Sequence, residues 1–129
     1  MIRVLLIGQK PETVDFRDPT LPFGSSVDAV RESVDTSLKA LTDRGWHVDL
    51  LLVAPGDTVE REIDSWIRTH DPYHCVVIGA DIRLPPRNLR FFETVINTVH
   101  RYAPSTAIAF PGRPGESADS VLRWLRKTA

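Results

Sequence analysis

Four short apolar runs, each closed by glycine or proline, constrain this chain more than any other feature. They are Ile2 to Ile7 (then Gly8), Val48 to Val53 (then Ala54, Pro55 and Gly56), Cys75 to Ile78 (then Gly79) and Thr106 to Phe110 (then Pro111 and Gly112). Each is aliphatic or β-branched and nearly continuous in hydrophobicity. A strand with one wet face alternates apolar and polar residues, so these runs read as strands covered on both faces.

The stretches between them carry helical periodicity. Val27, Val30, Val34, Leu38 and Leu41 share one face, with Ser25 or Ser26 as the cap and Gly45 as the stop. A second helix opens at Asp57 with Glu60 three residues on, a capping-box spacing. It buries Val59, Ile63, Trp66 and Ile67 and stops before Pro72. A third follows Pro85-Pro86 and buries Phe91, Phe92, Val95, Ile96 and Val99. A fourth runs from about Ser117 and buries Ala118, Val121, Leu122 and Leu125. Strict β-α alternation with right-handed crossovers predicts an α/β fold. The expected form is a three-layer α/β/α sandwich around a four-stranded parallel sheet of order 2-1-3-4, flavodoxin-like or Rossmann-like.

Composition narrows the classes of function. The chain has 129 residues, which suits one α/β domain over 1–129. A formal net charge of −1 excludes a whole-chain electrostatic binder, so no nucleic acid partner is expected. One cysteine excludes an internal disulfide. No apolar run approaches the ~20 residues of a membrane span. The strand-like opening MIRVLLIG lacks the parts of a signal peptide. A cytoplasmic protein with no membrane partner is the expectation.

In an open parallel sheet, ligands sit beyond the carboxyl ends of the strands where the strand order reverses. For order 2-1-3-4 that place lies between the first and third strands. The segment after the first strand, a long loop at 9–25, carries Lys10, Glu12, Asp15, Arg17 and Asp18, with Phe16 and Phe23 interleaved. Loops of this length are uncommon and often functional. It reads as a binding loop with Phe16 over a ligand, or equally as a structural arm or a subunit contact. The segment after the third strand holds Gly79, Asp81 and Arg83. Arg83 there reads as an anion contact, or as one half of a local pair, with Asp81–Arg83 and Asp81–Arg87 the candidate pairings. Arg113, after the last strand, reaches the same edge.

The expected ligand is therefore a small polar, anionic molecule held by Gln9, Lys10, Asp15, Arg17, Gly79, Asp81, Arg83 and Arg113. Should chemistry occur, Asp15 or Asp81 is the candidate base and Lys10 or Arg83 the electrostatic stabiliser. No cofactor or metal is expected. The chain has no G-x-G-x-x-G and no P-loop, and its first loop lacks the hydroxyls of a flavin phosphate site. Gln9-Lys10 stands where a phosphoacceptor receiver domain has clustered acids, which leaves a degenerate receiver a weaker alternative. Cys75 has no C-x₅-R partner and reads as a core residue. His47, His70, His74 and His100 all map to the opposite edge, and the spacing of His70, His74 and Cys75 matches no standard zinc pattern. Glu93, Asn97 and His100 form a polar stripe that reads as solvated.

The rival reading is a homodimeric interaction or structural protein. The second and fourth strands would be sheet edges, and Thr106 to Phe110 carries no charge to protect it.

The strings GQKPETVDF, CVVIGADIR and FETVINTVH resemble those of a small, largely uncharacterised group of bacterial single-domain proteins. The resemblance covers most of the chain. It implies a flavodoxin-like or Rossmann-like fold and carries no activity.

Overall fold

The computed structural model describes residues 1–21 and 26–128. Four strands, β1 (Arg3–Gln9), β2 (His47–Val53), β3 (Cys75–Ile78) and β4 (Ala107–Ala109), form one sheet. Its order is β2-β1-β3-β4 and every pairing is parallel. The helices are α1 (Val27–Thr42), α2 (Val59–His70), α3 (Ala80–Arg83), α4 (Leu89–Tyr102) and α5 (Ser117–Thr128). The three-layer α/β/α sandwich expected from the alternation is the one observed.

The near-continuous hydrophobicity of the strands has a direct cause. Leu5 and Ile7 of β1 and Val76 and Ile78 of β3 point into one core with Val59, Ile63 and Ile67 of α2 and Val95 and Val99 of α4. Their neighbours Val4, Leu6, Cys75 and Val77 point into a second core with Leu41 of α1 and Val121 of α5. With a helical layer on each face, a central strand has no wet side, and both sets of alternating positions must be apolar.

The local signals are partly redistributed. Ser26 caps α1, its Oγ accepting the Ala29 N–H at 3.1 Å, while Ser25 lies outside the described residues. Gly45, at φ 81°, closes the turn after α1 with its N–H on the Thr42 carbonyl at 2.9 Å. This left-handed conformation suits a residue with no Cβ. The capping box expected from Asp57 and Glu60 is not formed. Thr58 takes the N-cap position instead, and its hydroxyl donates to Glu62 at 3.4 Å. The segment before Pro85-Pro86 is not plain loop. It contains α3, whose four residues are too few for periodicity to reveal. β4 is shorter than its apolar run.

The 9–25 segment is also not a structureless loop in its described part. Gln9 ends β1, Pro11–Thr13 forms a 3₁₀ turn, and the Lys10 N–H still donates to Val53 at 2.8 Å. Phe23 and Gly24 lie outside the described residues. No helix among the described residues is long and apolar enough to cross a membrane.

Candidate functional site

A hollow opens where β1 and β3 separate from their crossovers, at the carboxyl edge of the sheet. Gly8 at the end of β1 and Gly79 and Ala80 at the end of β3 form its base. Leu6 and Leu50 wall it from the sheet, and Val30 and Val34 from α1. Val14 and Leu21 close it from the arm, and Pro111 and Pro114 from the turn after β4. Its volume is about 40 Å³, room for a few waters.

The polar lining is sparse. Ser33 and Ser37 come from successive turns of α1, and Asp81 is the one acidic residue in the lining among the described residues. Ser33 Oγ lies 3.2 Å from the Ala29 carbonyl, and Ser37 Oγ lies 3.4 Å from the Pro114 carbonyl. Asp81 folds back across Gly79. A Cβ added at Gly79 would stand 2.6 Å from Asp81 Oδ1, closer than real side chains come. Burial pushes the Asp81 carboxyl above the ordinary carboxylate range. Backbone N–H groups of Gln9, Asp81 and Ile82 oppose that shift.

The other residues expected at the site are gathered to the same edge but given different work. Gln9 is 4% exposed and braces the edge. Its Nε2 donates to the Thr13 carbonyl at 3.2 Å, and its Oε1 accepts from Asn88 Nδ2 at 3.4 Å. Asn88 Nδ2 also donates to the Asp81 carbonyl at 3.1 Å, so one amide pair ties β1, the arm and the approach to α4 together. The Lys10 side chain is not among the walls of the hollow.

Asp15 pairs with Arg87 and with Arg17, the latter at 3.2 Å, and Asp18 stands 3.5 Å from Arg87. The Arg17 backbone N–H, then the Arg87 and Arg17 guanidinium groups, bring Asp15 down to about 2. The Thr20 hydroxyl and N–H lower Asp18. A carboxylate held this way is a poor base, and the pair serves as a clamp on the arm. Phe16 is half-buried and is not among the walls of the hollow, so it does not cover a ligand there.

Arg83 turns to the carbonyl of Pro111 at 3.0 Å and leaves its Nε buried without a partner among the described residues. Neither an Asp81–Arg83 nor an Asp81–Arg87 pair forms among the described residues, because Pro111 and the acids of the arm engage those two guanidinium groups. Arg113 is exposed and makes no ion pair among the described residues. Of Asp15, Asp81, Lys10 and Arg83, the candidates for chemistry, Asp81 alone is among the walls of the hollow.

Sequence reasoning from charge missed the apolar walls. One signal was present: Ser33 and Ser37 sit a turn apart on the inner face of α1, where core periodicity calls for larger side chains. Two small residues there leave space unfilled.

The opposite edge is packed with polar groups. Trp66 Nε1 donates to Tyr73 Oη at 3.0 Å, and Tyr73 Oη donates to Asp49 Oδ2 at 2.5 Å. Arg3 stands over the Tyr73 ring at 5.0 Å and donates to the Pro72 carbonyl at 2.7 Å. Burial first, then the Asp49 hydrogen bond, raise the Tyr73 phenol. His47 lies 3.2 Å from Asp49, His74 Nδ1 accepts the Arg3 N–H at 3.0 Å, and His70 stacks on Trp66 at 3.9 Å. No group of three metal-ligating side chains occurs among the described residues. Cys75 is buried and its thiol is pushed up to about 12 by burial.

Fold and hollow together define a doubly wound α/β protein with a cleft at the point where strand order reverses. A scan of protein-family models and a search of curated proteins find no match. Among solved structures, the chain is similar to one described as "putative lipoprotein from Peptoclostridium difficile 630 (fragment)". The TM-score is 0.55 at 13% identity, over 99% of this chain and 98% of the other. At that identity the likeness bears on the fold alone.

Proposed function

We propose that the protein binds a small molecule in the hollow above Gly8 and Gly79. The observation that carries this reading is an apolar recess at the strand-order reversal with Asp81 among its walls. Clefts of this kind, mostly apolar with few polar groups, are the usual form of a small-molecule site. The charged rim suggested an anion. The geometry favours a mainly apolar occupant instead, because Lys10, Arg17, Arg83, Arg87 and Arg113 are all absent from the walls of the recess.

The recess is small, so its occupant is small or moves the wall made by Val14 and Leu21. A fragment screen by thermal shift tests the reading, run on the native chain and on Val34→Phe, which fills the recess. Stabilising fragments that lose their effect in Val34→Phe are expected. Fragments unaffected by that substitution, or no stabilising fragment at all, would overturn the proposal. A cytoplasmic setting belongs to the same reading; a lone, buried, unpaired thiol suits a reducing compartment. Cell fractionation checks it.

A second reading, self-association, has its own support. β2 is an edge strand of seven residues on which Leu50, Leu51 and Leu52 are only half-buried. Its one acid, Asp49, is turned to Tyr73 rather than guarding the edge. The other edge, β4, has three residues, and Arg123 donates to the Phe110 carbonyl just beyond it at 3.1 Å. Self-association thus favours β2 over the Thr106 to Phe110 edge expected from charge. Sedimentation velocity over a wide concentration range decides it: a dimer supports the reading and a monomer throughout removes it.

A further inference from the structure

We infer that the hollow selects a ligand with a short apolar body and a cationic head, an ammonium or amidinium group set against Asp81. The inference rests on the small-molecule reading above and names the class of ligand for that site. Three observations lead to it. Among the described residues, Asp81 is the one ionisable side chain in the walls; the rest are aliphatic residues, prolines, small residues and the two α1 serines. Nearby cations on the neighbouring elements are turned elsewhere. Arg83 of α3 goes to Pro111, Arg87 before α4 goes to Asp15 and Asp18, and Lys10 and Arg113 line no part of the hollow. The carboxylate lies over Gly79, its Oδ1 2.6 Å from where a Cβ on that residue would stand.

A carboxylate facing an apolar recess discriminates by charge. An anionic ligand would meet like charge in a poorly solvated space, a cost with nothing opposite to offset it. A neutral ligand gains only from burial of its body. A cation adds a charge-assisted hydrogen bond to an acceptor already oriented, so little ordering is lost on binding. The missing side chain at Gly79 is what lets the carboxylate lie there, since a Cβ would collide with its Oδ1. Burial already raises the Asp81 carboxyl, and a bound cation would draw it back down.

The test uses three probes of similar size: isobutylamine, isobutanol and isobutyrate. Each is titrated into the full-length ¹⁵N-labelled protein while the amide signals of Gly8, Gly79 and Val34 are followed. Isobutylamine is expected to saturate those signals at concentrations about tenfold below isobutyrate, the scale of a charge-assisted contact. In Asp81→Asn, the preference for the amine should disappear while isobutanol binds as before. Should Asp81→Asn fail to fold, the native chain supplies the same information. Isobutylamine binding should weaken as pH falls through the Asp81 titration while isobutanol binding stays level. Isobutyrate binding as tightly as isobutylamine, or amine binding indifferent to both substitution and pH, overturns the cationic head and leaves the site. Silence at those amides with all three probes removes the site itself.

Discussion

The two ends of the sheet treat their polar groups in opposite ways. At the amino edge, Arg3, Asp49, Trp66 and Tyr73 engage one another through contacts that leave little unsatisfied. At the carboxyl edge, Asp15 and Asp18 pair with Arg17 and Arg87 beside an apolar recess that has Asp81 among its walls. A filled polar network confers rigidity, and a recess with one oriented acceptor offers a place for something else. On the reading proposed above, the site is marked by unfilled apolar volume beside a single charge rather than by richness in charge.

The largest expected effect is at the amino edge. Tyr73→Phe removes the hydroxyl between Trp66 and Asp49, taking a donor from the carboxylate and an acceptor from a half-buried indole N–H, a loss of about 1–3 kcal/mol readable by urea unfolding. A cost near zero would mean the network is ornamental. At the carboxyl edge, Gly79→Ala should displace the Asp81 carboxylate, whose Oδ1 occupies the place of the new Cβ. A shifted Asp81 titration in ¹³C NMR checks it, and an unchanged one would mean the carboxylate is not held over Gly79.

The two acids of the carboxyl edge sharpen the comparison through pH. Asp15 is lowered from 3.8 to about 2, so its contribution to stability is present above the ordinary value and is lost as pH falls through that interval. Asp81 is raised, so its burial opposes folding at neutral pH, and that opposition is relieved as pH falls through its raised value. Asp15→Asn should therefore weaken the fold at pH 7 and Asp81→Asn should not, with thermal melts from pH 2 to 8 as the measurement. A fall in stability in both variants would show Asp81 serving the fold through its N–H contacts alone.

Smaller effects follow. Arg87→Ala frees the arm from its clamp. Exposed pairs contribute at most about 1 kcal/mol, so the melting point should move little while proteolytic nicking within 10–21 rises. Unchanged nicking would mean that the Gln9, Thr13 and Asn88 hydrogen bonds hold the arm unaided. Cys75, with its thiol pushed up to about 12, should resist alkylation in the native state and react once the chain unfolds. Rapid native labelling would contradict its burial between β3 and the α1/α5 layer.

Much of the fold was legible because strands buried on both faces leave an unmistakable pattern. Val4 to Ile7 and Cys75 to Ile78 are apolar at every position, and two helical layers are what such strands require. α3 was not legible, since four residues give no period. The Thr58 cap was missed because Asp57 offered an equally good local signal. Position along the chain correctly brought Gln9, Asp15, Arg17, Gly79, Asp81 and Arg83 to one edge. It could not tell a ligand contact from a brace or a clamp, because pairing partners such as Arg87 and Asn88 come from a segment some seventy residues away.

By itself, then, the sequence determined the layers, the sheet order and the edge at which a cleft opens. These follow from hydrophobic periodicity and the handedness of crossovers, both properties of the chain read locally. The tertiary structure decided what each charge does there. Whether an arginine is free depends on which carboxylate or carbonyl comes within reach, and whether a recess is empty depends on how Ser33, Ser37, Val14 and Leu21 meet across it. Both are matters of distance between remote parts of the chain, which only the folded arrangement fixes.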